Sequence, residues 1–143
     1  MRWVSVRIIN ASPEKVFKTV ADPEEFHRAI PDGVSVEYLT PTHGGVGTRF
    51  RATRRGRGKP QAFDQEITEY ISRERVRMRN VTHGTAWDGT FALQPIGRGT
   101  QLTLTMDAAT NSLPARLMNR IISPMLQKAL EKDMDAVKAY CEQ

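Results

Sequence analysis

The sequence predicts an α+β fold in which an antiparallel sheet of about seven strands curls around one long C-terminal helix, and three observations carry that prediction. Apolar residues recur at every second position from Gly33 to Ala109. They recur at close to 3.6-residue spacing from Leu113 to Gln143, and turn residues cut the alternating region at hairpin intervals. The expected order is one strand, two short helices, six strands and a final helix, in a single domain spanning residues 1–143.

Composition limits the classes open to such a chain. With 143 residues and 39% apolar content it can build one sizeable core. No apolar run approaches the roughly 20 residues that cross a bilayer, and Met1-Arg2-Trp3 leads straight into alternating residues, so a cytoplasmic protein without stable membrane insertion is expected. Cys141 is the single cysteine, which excludes an internal disulfide and a multi-cysteine metal site; the three histidines are scattered, and no metal site or cofactor is expected.

The elements follow in order. Trp3 to Ile9 alternates with β-branched content and stops at Asn10-Ala11-Ser12-Pro13, where Ser12 is placed to cap a helix and Pro13 to occupy its first position. Val16, Phe17 and Val20 give that helix one apolar face. Asp22-Pro23-Glu24-Glu25 repeats the start signal, so a second short helix runs to about Ala29, set at an angle to the first because the residue before a proline leaves helical dihedrals. Six strands are then read from Val34/Val36/Tyr38, Phe50/Ala52, Phe63/Gln65/Ile67, Val76/Met78/Asn80, Trp87/Gly89/Phe91/Leu93 and Leu102/Leu104/Met106. Turns fall at His43-Gly44-Gly45, Gly56 to Pro60, Ser72-Arg73-Glu74, Gly84 and Pro95 to Gly99. The last helix carries Leu117, Met118, Ile121, Ile122, Met125, Leu126, Ala129, Leu130, Val137 and Cys141, with a kink or local break expected at Pro124. Asp133 and Asp135 read as exposed helix charges, with Asp135 three residues from both Lys132 and Lys138.

The net charge of +5 permits contact with an anionic partner. The strand arginines, however, alternate with acidic rows: Arg49/Arg51 against Asp64/Glu66, and Arg75/Arg77/Arg79 against Asp88. On a meander these fall opposite one another on the outer face, and no stacking aromatics accompany them, so nucleic acid is not an expected partner. The hairpin from Arg54 to Lys59 escapes that cancellation.

Geometry adds an expectation of a cavity. Seven strands make a sheet about 34 Å wide, whereas one helix covers about 10–12 Å. The sheet has to curl, and aromatics at 7% of residues are few to fill the space left.

Several fragments, in their order and spacing, resemble one family. They are Ala11-Ser12-Pro13-Glu14-Lys15-Val16-Phe17, Val20-Ala21-Asp22-Pro23-Glu24-Glu25-Phe26, Gly45-Val46-Gly47-Thr48, Ile67-Thr68-Glu69-Tyr70, Gly89 to Pro95, Gly99 to Thr105, and the terminal helix. Over nearly its whole length the chain is similar to the START-like (SRPBCC) superfamily with the helix-grip fold, in particular its bacterial polyketide cyclase/dehydrase and lipid-transport branch. The resemblance implies a deep pocket between sheet and helix that holds a lipid, polyketide, quinone or similar apolar molecule, without universal catalytic residues.

Three functions follow as expectations. The first is binding of an apolar small molecule by Phe50, Phe63, Gln65, Ile67, Met78, Asn80, Trp87, Phe91, Leu104, Met106, Met118, Ile122 and Met125, the methionines supplying an adaptable lining. The second is a polyketide aromatase, cyclase or dehydrase, whose proton transfers need a polar group such as Tyr38, Arg54 or Glu69 within hydrogen-bond reach; His83 reads as a turn residue, and His27 as an exposed residue of the second short helix, with a pocket mouth as its alternative place. The third is a basic module whose hairpin Arg54 to Lys59 meets a protein, ribosome or membrane. Oligomeric state stays open.

Overall fold

A computed structural model describes residues 1–56 and 58–143, so Arg57 of the basic hairpin lies outside the described residues. The elements are β1 (Arg2–Ile9), α1 (Pro13–Ala21), α2 (Pro23–Ala29), β2 (Gly33–Tyr38), β3 (Arg49–Arg54), β4 (Gln61–Ile71), β5 (Arg75–Thr82), β6 (Thr85–Ile96), β7 (Gly99–Ala109) and α3 (Leu113–Cys141). The seven strands form one sheet in the order β1-β7-β6-β5-β4-β3-β2, every pairing antiparallel, with the two edges left open. This is the α+β fold expected from the periodicity and the helix-grip arrangement that the resemblance implies.

Local chemistry sets the helix starts. The Ser12 hydroxyl accepts from the Lys15 amide at 3.2 Å, and the Asp22 carboxylate accepts from the amides of Glu24 and Glu25 at 2.9 and 3.4 Å. Pro13 and Pro23 occupy the first turns, where no amide is needed. At the β5–β6 join, His83 and Gly84 both have positive φ, 50° and 77°, between the paired Thr82 and Thr85. That is a two-residue hairpin turn whose twist suits the flanking strands, and it assigns His83 to the turn.

The outer face of the sheet carries the expected ion pairs. Arg51 binds Asp64 at 2.7 Å, directly opposite in register, and Arg77 binds Asp88 diagonally at 2.8 Å. Water screens such exposed pairs, so each contributes little to stability. Glu69 belongs to this face, since it pairs with Arg75.

The inner face meets the helices. Ile9, Val16, Val20, Phe50, Ile67, Val76, Leu102, Met134 and Val137 are fully buried and form the core between sheet, α1 and the C-terminal half of α3. Trp3 stacks on Trp87 with ring centroids 5.8 Å apart, and its indole donates to the Ser123 hydroxyl at 2.8 Å, tying β1, β6 and α3 together.

α3 lies along β1 and protects the exposed edge of the sheet. Because Met1 exchanges both backbone bonds with Ala108, the even-numbered residues of β1 present theirs to the free edge. Three of those carbonyls accept from side chains: Val4 from Gln127 at 3.1 Å, Val6 from Arg7 at 2.8 Å and Ile8 from Lys138 at 2.6 Å. A second strand cannot add there without displacing them.

α3 continues through Pro124 without a break, and Pro124 sits on the exposed side, so the carbonyl freed at Arg120 can bond to water. Asp135 pairs not with the neighbouring lysines but with Arg7 at 2.8 Å, while Lys138 bonds Glu142 and the edge of β1.

Candidate binding site between sheet and helix

The site begins with one row across the sheet. Register places Trp3, Met106, Gly89, Met78 and Ile67 side by side on β1, β7, β6, β5 and β4. Gly89 is the gap in that row. A Cβ there would stand 3.2 Å from the end of the Met106 side chain, and its absence leaves a depression between two flexible thioethers.

Above the row lies a hollow of about 120 Å³. Val20, Pro23 and Phe26 close it from α1 and α2, Leu130 closes it from α3, and Phe50, Trp87, Phe91 and Leu104 add apolar walls from the strands. Five polar side chains also reach it: His27, Arg54, Gln65, Asn80 and Asp133. Asn80 accepts from the Thr82 hydroxyl at 3.0 Å through its Oδ1, which leaves the amide NH₂ as a donor.

Arg54 ends β3 and reaches across the hollow to α3. Its guanidinium binds both oxygens of Asp133, at 2.7 and 3.0 Å, and also Asp32 at 2.8 Å. Five strand intervals separate β1 from β3, about 24 Å if the sheet were flat. A helix lying along β1 that also touches the end of β3 therefore requires a strongly curled sheet, and the Arg54–Asp133 pair clasps it. Burial alone would lower the Arg54 pKa, but the bonds to Asp133 and Asp32 outweigh it and hold the group well above the ordinary arginine value. Its charge is fixed and already matched.

His27 is different. Its Nδ1 lies 2.8 Å from the Pro23 carbonyl, which can only accept, so the proton sits on Nδ1 and Nε2 carries a lone pair. That Nε2 is buried and has no hydrogen-bond partner among the described residues. Burial pushes the imidazole pKa below its ordinary value; the Pro23 bond opposes this, the Arg54 charge adds to it, and Asp32 and Asp133 oppose it more weakly. The result is a neutral ring with an unused acceptor beside the hollow. Gly33 permits this packing, because a Cβ there would stand 2.4 Å from the His27 carbonyl oxygen.

Of the residues expected to line a pocket, the structure brings together Phe50, Gln65, Met78, Asn80, Trp87, Phe91, Leu104 and Met106. Ile67 is fully buried beneath them, and Phe63 lies further along β4. Met118, Ile122 and Met125 do not line the hollow; Met118 and Met125 are on the exposed side of α3, because its inward face is set by Asn119, Ser123, Leu126 and Leu130. Among the polar candidates, Arg54 reaches the hollow. Tyr38 is stacked on His43 at 3.9 Å, its hydroxyl pKa raised by burial and then by Asp22 and Glu24, and Glu69 is on the outer face. Asp133, expected as an exposed helix charge, is turned inward instead: it falls three residues from Leu130 and seven from Leu126, on the buried stripe, and that phase is the signal that places it. Asp32 carries no comparable signal in the sequence.

A second depression, of about 490 Å³, lies outside, between α1 and the turn after β4. Glu14, Lys18, Asp22 and Arg73 border it, so it is a charged surface cleft.

The profile of a family described as polyketide cyclase / dehydrase and lipid transport matches residues 1–142. The chain belongs to this family. Solved structures share the fold. TTHA0849 of Thermus thermophilus is 22% identical with a TM-score of 0.78, over 97% of this chain and 95% of that one. The hypothetical protein jhp0584 of Helicobacter pylori is 11% identical at TM-score 0.79, over 99% and 88%. The di-domain ARO/CYC BexL from the BE-7585A biosynthetic pathway is 16% identical at 0.77, over 97% of this chain and 45% of BexL. None of the curated proteins compared by sequence matches the chain.

Proposed function

We propose that this polyketide cyclase/dehydrase family member binds an apolar small molecule in the hollow between sheet and α3, with one polar end of the ligand held near His27. The observation that carries the reading is the pairing of a mostly apolar lining with a buried acceptor, the His27 Nε2, that has no partner among the described residues. A buried polar atom without a partner costs about 1–3 kcal/mol, and a ligand hydroxyl donating to it would remove that cost. The amide NH₂ groups of Gln65 and Asn80 supply further donors for a ligand carbonyl.

The hollow is smaller than the roughly 300–1,000 Å³ of most ligand sites. Binding therefore includes rotation of Met78 and Met106, whose unbranched side chains flank Gly89 and repack at low cost. The chain carries its own reporter. Trp87 lines the hollow and Trp3 stacks on it, and they are the only two tryptophans. Titration with oleate or with a polycyclic phenol should quench their fluorescence saturably. Gly89→Leu, which fills the gap against movable atoms, should abolish the quenching while leaving thermal stability intact. Unsaturable quenching that is equal in both proteins would remove the reading.

A second reading, cyclisation or dehydration of a polyketide-like substrate, is favoured by the same Nε2, which is a neutral imidazole lone pair and so able to take a proton. Arg54 would act there as a fixed positive charge, not as a proton donor. If His27→Gln retains binding of a candidate poly-ketone but loses turnover, catalysis holds; if turnover survives, it does not.

A further inference from the structure

The N-terminal half of α3 presents an apolar face that no other described residue covers. Leu113, Leu117, Met118, Ile121 and Met125 are between 55% and 74% exposed. At about 100° per residue they fall in one sector of roughly 140°, opposite the face formed by Asn119, Ser123, Leu126 and Leu130. Residues 108–130 contain Arg116, Arg120 and Lys128 and no aspartate or glutamate. Arg116 and Arg120 flank the apolar sector on one side, and Lys128 falls within it.

The charge pattern opposes the needs of the helix itself. A helix N-terminus favours carboxylates, and α1 and α2 follow that rule with Glu14 and with Glu24 and Glu25 in their first turns. α3 has no acidic residue in its first turn and places two arginines within its first eight residues. Helix stability does not explain that choice; attraction of an anionic surface does.

We propose that this face docks on an anionic lipid surface, with α3 lying in the plane of the headgroups. A helix with an apolar sector, cationic borders and no opposing charge binds an interface in that way. Among the described residues no helix is long and apolar enough to cross a membrane, and the proposed contact is with one leaflet. A second copy of the chain fits the face poorly, since a two-fold contact would bring Arg116, Arg120 and Lys128 against themselves. Single-stranded nucleic acid fits poorly as well, because the segment has no aromatic side chain on which a base could stack. The inference is independent of whether the hollow holds a ligand.

Vesicle co-sedimentation tests it, using phosphatidylcholine alone and phosphatidylcholine with about one-third phosphatidylglycerol. At roughly five-fold per cation near such a surface, binding to the anionic vesicles should be at least tenfold tighter and should weaken in high salt. Ile121→Asp and Leu117→Asp, both at exposed positions and so compatible with folding, should abolish binding; Arg116→Gln with Arg120→Gln should weaken it about tenfold or more. Equal binding to both vesicles, binding to neither, or a dimer by light scattering that Ile121→Asp dissociates would each overturn the proposal.

Discussion

Replacing Arg54 by Met tests whether the clasp holds the curled sheet against α3. The substitution removes a guanidinium that binds two oxygens of Asp133 and one of Asp32 while keeping most of the apolar stem. Stripping one partner from a fully buried pair costs about 3–5 kcal/mol, because the other charge is left without compensation. Here the Asp133 side chain is 13% exposed and Arg54 29%, so water recovers part of that, and about 2–3 kcal/mol is expected. At about 3 °C per kcal/mol for a chain of this length, Tm should fall by roughly 6–9 °C. Asp133→Leu combined with Arg54→Met should restore most of the loss, since the isolated carboxylate is then gone; Asp32→Asn, at the wetter end, should cost under about 1 kcal/mol. Differential scanning calorimetry on the wild type, Arg54→Met, Asp133→Leu and the double variant completes the cycle. If Arg54→Met is neutral, or the double variant is worse than the sum of its singles, the clasp does not hold the sheet.

Three further outcomes are expected. His27 has its pKa lowered in the folded chain from an ordinary value of 6.5, so the unfolded chain takes up a proton first as pH falls; stability should be full above about pH 6.5 and decline below it, and in His27→Gln urea denaturation should show that slope flattened. Met134→Ala, at a fully buried position on α3, should cost about 2–4 kcal/mol in the same assay, and a cost below about 1 kcal/mol would mean that α3 is not packed as described. Asp22→Ala removes the acceptor shared by two amides of α2 and should cost about 1 kcal/mol, with faster amide exchange at Glu24 and Glu25.

The sheet was legible because alternation is a local property. Each strand from Phe50/Ala52 to Leu102/Leu104/Met106 carries its own inner face, and Gly84 or Gly97 marks where it turns back. The caps at Ser12 and Asp22 are local too. The clasp was not legible, because Arg54 and Asp133 are 79 residues apart and meet only once the sheet has curled. Asp133 was nevertheless in phase with Leu126 and Leu130, and an acidic residue on an apolar stripe asks for a buried cation. The opposite error concerns Met118 and Met125. Periodicity shows that a face is apolar but not what it meets, and the first half of α3 turns a different sector inward from the one its largest apolar residues occupy. The unpartnered acceptor of His27 was hidden because it depends on the Pro23 carbonyl and the closeness of Gly33.

Native mass spectrometry of the wild-type protein and Gly89→Leu, both purified without organic solvent or detergent, tests ligand binding in the hollow most directly. The wild-type protein is predicted to carry a bound apolar molecule, recoverable by extraction, which Gly89→Leu lacks while folding normally. Wild-type protein that is ligand-free after exposure to a total lipid extract, or an adduct of equal occupancy in Gly89→Leu, would contradict it.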